Sequence, residues 1–563
     1  MAISGLVVGT YLTILLLLAF YGFHRSSLVF LYYRNRDKRP RAIGTFSDLP
    51  AVTVQLPLFN EMYVVERLLD AVAGIRYPRD RFQVQVLDDS TDETQEICRR
   101  AIADLRARHP DLDIEYVHRV DRSGFKAGAL ENGLRTAKGE FILIFDADFL
   151  PQADVLERSI HHFLDPRVAV VQCRWDHINR DFSALTEVQA LMLDGHFMME
   201  HAGRNRSDRF FNFNGTAGIW RRAAIADAGG WQHDTLTEDM DLSYRAQLRG
   251  WRFVYLPEIA APAELPVEMS AFKSQQFRWA KGSVQVALKL LPAIMRSKSA
   301  TFAQKSEAFF HLTNNLAYPL LLLLSILLLP NLALRPHHGW REVLMIDLPL
   351  FFGTTLSIAS FYLASQREIA LLRDPEGRLR VQWWVIKRLP LVMSIGIGLC
   401  VNQTRAVLEA LFGRETEFVR TPKHGIRGRL EIWSSKKYRA AKSITPLIEV
   451  AMAGYFTIAM AVAVQNGHYL SMPFLGLFLY GFGYVGGVSL WQGGLGVALR
   501  RLVLRLVPGR SSVPVAVPVL PPPAFAVLGS NLAGIGDGVG RGAADRGARV
   551  TPSPASRAPT ALS

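Results

Sequence analysis

Three carboxylate groupings stand well apart in the chain: Asp88-Asp89, Asp146-Ala147-Asp148 and Glu238-Asp239. A Gln275-Gln276-Phe277-Arg278-Trp279 run follows them. Two aspartates one residue apart in a tight turn can approach a single divalent ion that takes diphosphate oxygens on its other side. Such an ion offsets charge developing on a nucleoside diphosphate leaving group. A separate acid, Asp239 with Glu238 beside it, suits a general base that takes the proton of an acceptor hydroxyl. Arg278 offers a planar fork to a diphosphate, and Trp279 a flat apolar face. Each grouping also has a plainer reading. An Asp-x-Asp pair is usually a capping turn, Thr237-Glu238-Asp239 starts a helix with acids at its positive end, and an Arg-Trp pair fits a helix lying on lipid. Their order along one chain favours chemistry over coincidence.

The elements around these acids are predicted to be alternating strands and helices: strand Val52 to Leu56, helix Glu61 to Ile75, strand Phe82 to Leu87, helix Thr91 to Arg108 and strand Ile114 to His118. A helix near Gly124 to Thr136 and a strand Phe141 to Phe145 follow. This is the rhythm of a parallel α/β sheet. Ligands of such sheets sit at the carboxyl ends of strands, so Pro57 to Glu61, Asp88-Asp89-Ser90 and Asp146-Ala147-Asp148 are expected on one rim. Asp88 and Asp89 suit a base or ribose, while Ser90 and Thr91 suit the cap of the next helix. Lys126, among the small residues Gly124 to Gly128, opens a predicted helix and suits an anion. Neither the Gly-x-Gly-x-x-Gly nor the P-loop spacing follows a strand here, so a nucleotide would be held through metal and acids.

The chain has 563 residues, a 49% hydrophobic fraction and a formal net charge of +14. That is a membrane protein with one globular part, because the Lys and Arg lie beside apolar runs, where lipid and the positive-inside rule account for them better than nucleic acid does. Cys98, Cys173 and Cys400 lack metal-ligand spacing and read as reduced thiols. Ala2 to Phe23 is uncharged and reads as a retained anchor. Arg25 and the basic residues to Arg41 put the following domain in the cytosol and the N-terminus outside. Further spans are expected at Leu316 to Leu334, Val343 to Ala364, Ile444 to Val464 and Tyr469 to Leu490. Leu389 to Val401 is expected to lie along the cytosolic surface, because a crossing there would put the basic stretch Arg405 to Lys442 outside. Asp347 and Glu449 stand in or beside spans, where a carboxylate marks either a polar pathway or a helix end. Gly483 to Gly487 matches a close helix contact. From Pro508 the composition reads as a disordered tail.

Taken together, Asp88-Asp89-Ser90, Asp146-Ala147-Asp148, Thr237-Glu238-Asp239 and Gln275 to Trp279 resemble the D, DxD, TED, QxxRW signature of the glycosyltransferase family 2 processive synthases. Phe211 to Arg221 and Gly229-Gly230-Trp231 are similar to the cellulose synthase-like mannan and glucan backbone synthases and their bacterial relatives. The resemblance spans Val52 to Lys423. It implies a GT-A type, Rossmann-like cytosolic domain with about five transmembrane spans and interfacial helices. It further implies Mg2+ or Mn2+ at Asp146 and Asp148, donor contacts at Asp88, Asp89, Lys126, Asp146, Gln275 and Arg278, and catalysis by Asp239 with Glu238. Acceptor contacts would come from Trp279, Asn214, Gly215 and Thr216. Phe418, Thr421 and Lys423 look like a gating loop, with Arg420 where that loop has Val. No cyclic-dinucleotide-binding domain is expected.

The implied divisions are an anchor and basic segment (1–44), the glycosyltransferase domain (45–268), an interfacial region (269–305), a transmembrane pair (306–370), a cytosolic helix with the gating-like loop (371–443), a second pair (444–507) and the tail (508–563). The expected activity is inverting transfer of a hexose from an NDP-sugar, GDP-mannose or UDP-glucose, to a growing β-linked polysaccharide at a bacterial inner membrane, with extrusion of the product. The rivals are a transferase that completes a glycolipid and a nucleotide-sensing transporter or scaffold. A short product separates the first from it, and the paired Asp146-Ala147-Asp148 and Asp239 argue against the second.

Overall fold

A computed structural model describes residues 2–334, 348–373, 381–416, 420–428, 431, 433, 436–438 and 443–493. The strands are β1 (Val52–Leu58), β2 (Phe82–Asp88), β3 (Asp113–His118), β4 (Phe141–Ile144), β5 (Val168–His177), β6 (Gly218–Arg221) and β7 (Arg252–Ala263). They form one sheet in the order β3-β2-β1-β4-β6-β5-β7. The central strands are buried on both faces, which is why Phe141 to Ile144 reads as a continuous apolar run. In β1 the apolar Val52, Val54 and Leu56 alternate with buried Thr53 and Gln55, whose side chains bond Gln83 and Gln85 of β2. Helix Val65–Ala73 buries Val65, Leu68, Leu69 and Val72, one stripe at helical spacing. Thr94–Arg108 does the same with Thr94, Cys98, Ile102 and Leu105. Both are crossovers between parallel strands.

The expected parallel sheet holds for β1 to β4. It ends at β6, which runs antiparallel to both β4 and β5. Antiparallel entry has a consequence for the rim. The start of β6 lies at the end of β4, with Gly218 opposite Ile144, so the residues just before β6 arrive beside those just after β4.

Among the described residues four helices are long and apolar enough to cross a membrane: Gly5–Arg34, Phe302–Ala333, Thr445–Gln465 and Tyr469–Gln492. The pair Trp383–Gly398 and Cys400–Leu411, bent by 41°, makes a fifth if counted as one span. Leu389 to Val401, expected along a surface, falls in this bent pair. Helix Val381–Gly398 packs on Met472–Gln492 because Gly398 and Gly481 bring the two backbones together, and a Cβ on either would strike the other helix's backbone. Gly486, not Gly487, makes the close contact in that span: a Cβ there would meet that of Glu449 at 2.9 Å, whereas Gly487 has nothing within 4 Å. Leu348–Arg373 is a helix but is not among those meeting the span criterion. Asp347 and the tail from Pro508 lie outside the described residues.

Candidate active site

The carboxyl ends of β1, β2 and β4 open on a cavity of about 210 Å3. Its wall holds Asp89, Lys126, Asp146, Asp148, Asn214, Gly215, Glu238, Asp239, Gln275, Arg278, Trp279, Thr421 and Lys423. Seven separate stretches of sequence therefore converge on one cavity, the three groupings of acids and the Gln275–Trp279 run among them.

β4 ends at Ile144, and the chain turns so that the Phe149 amide donates to the Asp146 carbonyl at 3.1 Å. The Asp146 amide donates to Thr216 Oγ1 at 2.8 Å, a direct result of β6 starting where β4 stops. Gly124, at φ +72°, lets the chain enter helix Phe125–Gly133 in a left-handed turn and points Lys126 at the rim. Lys126 Nζ lies 2.5 Å from Asp146 Oδ1 and donates to the Gly215 carbonyl at 2.9 Å. Burial alone would lower the Lys126 pKa, but Asp146 and Glu238 raise it. Lys423 Nζ stands 2.5 Å from Asp148 Oδ2 and also donates to the Glu264 carbonyl.

Glu238 and Asp239 begin helix Glu238–Leu248. Thr237 makes no side-chain cap, and its buried hydroxyl has no hydrogen-bond partner among the described residues, so capping does not account for this stretch. Burial, then repulsion from Glu238, pushes the Asp239 carboxyl up to about 7, with Lys126 opposing. Glu238 is raised too, mainly by burial. A carboxyl poised near neutral pH suits a general base. Gly215, at φ +77°, closes over Asp239, and a Cβ there would sit 2.9 Å from Asp239 Oδ2. Arg278 Nη2 donates to Thr421 Oγ1 at 2.8 Å, and burial pulls its pKa down to about 10 against Glu238 and Asp146. Trp279 lies 6.4 Å from Trp175, centroid to centroid.

Two expected contacts fall elsewhere. Asp88 is fully buried and off the cavity wall, because its carboxylate accepts from Tyr116 Oη at 2.7 Å and from the Ser90 amide at 2.9 Å. Thr216 is likewise fully buried and positions Asp146 instead of facing the cavity. Asp89 reaches the wall but is gripped by the Arg119 guanidinium at 2.5 Å. Phe418 lies outside the described residues.

Further charged residues complete the wall. Glu61, just past β1, pairs with Arg420 at 3.1 Å, and burial pushes its carboxyl up to about 8 despite that partner. Arg122 sits 3.4 Å over the Phe59 ring. Glu61 stands on the rim as expected from its place at the end of β1. Arg420 belongs to the gating-like loop, but its pairing with Glu61 carried no signal, and neither did Arg119, off the wall, as the partner of Asp89.

Asp146 and Asp148 fit a hard divalent ion. Both offer carboxylate oxygens, and each already holds a cation, a lysine ammonium. Among the described residues no group of three or more acid, His or Cys side chains forms a complete protein cage, so diphosphate and water would supply the remaining ligands.

Residues 50–282 match the family described as glycosyltransferase like family 2, and residues 221–480 match cellulose synthase. Glucomannan 4-beta-mannosyltransferase 2 of Arabidopsis thaliana is 34% identical over 490 residues, covering 82% of this chain and 86% of its own length. The chain belongs to the family 2 glycosyltransferases, in their cellulose synthase-like group. Glucomannan 4-beta-mannosyltransferase 1 of Oryza sativa subsp. japonica is also 34% identical, over 79% of this chain and 84% of its own. A solved mannosyltransferase of Pyrobaculum calidifontis, in complex with GDP-Man and Mn2+, aligns with 72% of this chain and 100% of its own at 23% identity and a TM-score of 0.48. This family 2 glycosyltransferase is a hexosyltransferase, and the mixed sheet with acids on its rim is its GT-A type domain.

Proposed function

We propose that the protein transfers a hexose with inversion from an NDP-sugar to the end of a growing β-1,4-linked polysaccharide. GDP-mannose stands ahead of UDP-glucose as donor, because the relatives are named glucomannan 4-beta-mannosyltransferases. One observation carries the reading: buried Asp239 shares a cavity with the Asp146–Asp148 pair, five Lys and Arg side chains and the Trp279 ring. Asp239 takes the proton of the acceptor hydroxyl as that oxygen attacks the anomeric carbon and the nucleoside diphosphate departs. Asp146 and Asp148 would hold Mg2+ or Mn2+, which supplies Lewis-acid stabilisation of the departing diphosphate. Lys126, Arg278 and Lys423 add positive charge around the same anion, and Asp89, Lys126, Gln275 and Arg278 bind the donor. Trp279 and Asn214 face the acceptor.

Extrusion is supported by a second cavity, of about 760 Å3, whose wall mixes Tyr11, Tyr318, Tyr362 and Phe478 with Asn314, Asn331 and His468. Aromatic faces and amides suit a sugar chain better than lipid tails. The basic residues from Arg25 to Arg41 support a cytosolic glycosyltransferase domain with the N-terminus outside. The test is to incubate protein in lipid nanodiscs with labelled GDP-mannose or UDP-glucose, with and without a chelator. Metal-dependent polymer cleaved by a β-1,4-specific hydrolase is expected; a product of one or two sugars on lipid would overturn processive synthesis.

A further inference from the structure

The helix that follows β5 widens at its end. Ala184–Gly195 passes into a π-helical turn over His196–His201 before continuing as Ala202–Arg206. Such turns are rare and concentrate at functional sites. Here the turn stacks His196 above Glu200: His196 Nδ1 lies 2.8 Å from Glu200 Oε2. On its other side, His196 Nε2 lies 3.2 Å from Asn214 Nδ2. Asn214 belongs to the wall of the catalytic cavity, and its Oδ1 is buried without a hydrogen-bond partner among the described residues.

The contacts among the three groups assign their hydrogen bonds. Glu200 is ionised: burial works against the charge, but the hydrogen bond from His196 and the charge of Arg204 hold its pKa well below the usual carboxylate range. A carboxylate only accepts, so His196 Nδ1 carries the hydrogen toward it. Asn214 Nδ2 stands on the other ring nitrogen, and an amide NH2 only donates, so Nε2 is the acceptor. With its NH2 on His196, the Asn214 amide turns its carbonyl oxygen away from the ring. Reversing the amide would set oxygen against nitrogen lone pair. Glu200 and His196 therefore determine what Asn214 offers the cavity, which is an acceptor and not a donor.

Asn214 immediately precedes Gly215, whose Cα closes over Asp239. A hydrogen-bond acceptor next to the general base meets the sugar whose hydroxyl Asp239 deprotonates. We infer that Glu200 and His196 are positioning residues that hold Asn214 Oδ1 ready to accept a hydrogen bond from a ring hydroxyl of the acceptor sugar, aligning its neighbouring hydroxyl with Asp239. Phe197, next to His196, packs on Trp175 at 5.3 Å, and Trp175 packs on Trp279, so the same turn also backs the aromatic wall. This inference rests on the sugar-transfer reading above.

The test compares His196→Leu, His196→Gln and Asn214→Ala in nanodiscs with the labelled NDP-sugar that the unaltered protein uses. The quantity read is label incorporated into polymer divided by label released as free sugar, together with nucleoside diphosphate affinity. Gln keeps the polarity of imidazole, donating to Glu200 and accepting from Asn214, and is expected within about twofold of the unaltered ratio. His196→Leu and Asn214→Ala are expected to lower the ratio on the order of tenfold, the size of one well-made hydrogen bond to a sugar, with diphosphate affinity unchanged. If His196→Leu fails to fold, His196→Gln against Asn214→Ala carries the comparison. An unchanged ratio in Asn214→Ala, an equal loss in Gln and Leu, or a parallel fall in diphosphate affinity overturns the inference. Unaltered protein that turns over no NDP-sugar would instead overturn the transfer reading beneath it.

Discussion

Lys423 and Asp148, 275 positions apart in sequence, meet at 2.5 Å across the mouth of the catalytic cavity. The lysine ammonium stands on an oxygen that a divalent ion would use, so ion and lysine compete for it. Lys423→Met is expected to lower the half-saturating Mn2+ concentration by roughly fivefold, about 1 kcal/mol of screened charge repulsion, while turnover falls because the diphosphate loses a cation. Asp148→Ala should weaken donor binding at every Mn2+ concentration. A Mn2+ titration of activity in each variant checks both, and an unshifted curve for Lys423→Met would remove the competition.

Asp239→Asn keeps the shape of the side chain but removes the base. Transfer should fall by roughly 10²–10⁴-fold, with nucleoside diphosphate affinity retained, because Asp239 is assigned to the acceptor proton and not to the donor. Calorimetric titration beside a single-turnover assay checks it. Near-normal turnover would move the base to Glu238.

The pH response follows from the same group. With its carboxyl pushed up to about 7, Asp239 is mostly protonated in mildly acidic buffer and gains its basic form as pH rises through neutrality. Transfer by the free enzyme should therefore rise from pH 6 to 8. Stability runs the other way. A folded-state pKa above the ordinary aspartate value means the protonated fold is favoured, and that advantage is lost as pH rises through the folded pKa. Asp239→Asn should accordingly melt above the unaltered protein at pH 8, and the gap should narrow toward pH 5. A gap independent of pH would show that burial of Asp239 is not what raises it.

Gly215→Ala tests the closure over the base. At φ +77° an alanine is strained, and its Cβ would come within 2.9 Å of Asp239 Oδ2. The cost is about 1–2 kcal/mol in stability, with a larger loss of transfer as Asp239 is pushed aside. Melting and kcat measured together check it; full activity would show that Asp239 has room to move.

The acids at strand ends were legible in the sequence because a buried apolar run followed at once by Asp is how a central strand delivers a carboxylate to the rim of its sheet. Asp146, Asp148, Asp239 and Arg278 reach the cavity as expected. Asp88 and Thr216 do not, since each spends its hydrogen bonds on its own scaffold, and a motif gives side-chain type but not direction. The antiparallel β6 was invisible because four residues carry too little pattern to fix a direction. The charge rule speaks to which side of the membrane Leu389 to Val401 lies on, but not to its partner: Gly398 and Gly481 let this helix touch the backbone of Met472–Gln492, a contact that only the fold shows. Arg420 and Arg119 show the same limit: their partners Glu61 and Asp89 are 359 and 30 positions away.

Glu449, a carboxylate inside the span Thr445–Gln465, is matched by Lys273, whose ammonium lies 2.6 Å from it. Both are buried, and the lysine sits on helix Met269–Arg296, five residues before Arg278. Asn402 adds a hydrogen bond to the Lys273 carbonyl at 2.9 Å, so the helix that carries Arg278 and Trp279 is fastened to two neighbours at this point. Removing one charge leaves the other stranded in an apolar surround. Lys273→Met should therefore destabilise the protein by about 3–5 kcal/mol, while the double variant Lys273→Met, Glu449→Gln recovers most of that loss. Thermal unfolding in one detergent for all three proteins gives the comparison. If the single and double variants melt together, the pair is not what compensates Glu449, and the carboxylate must find water along a polar path through the spans.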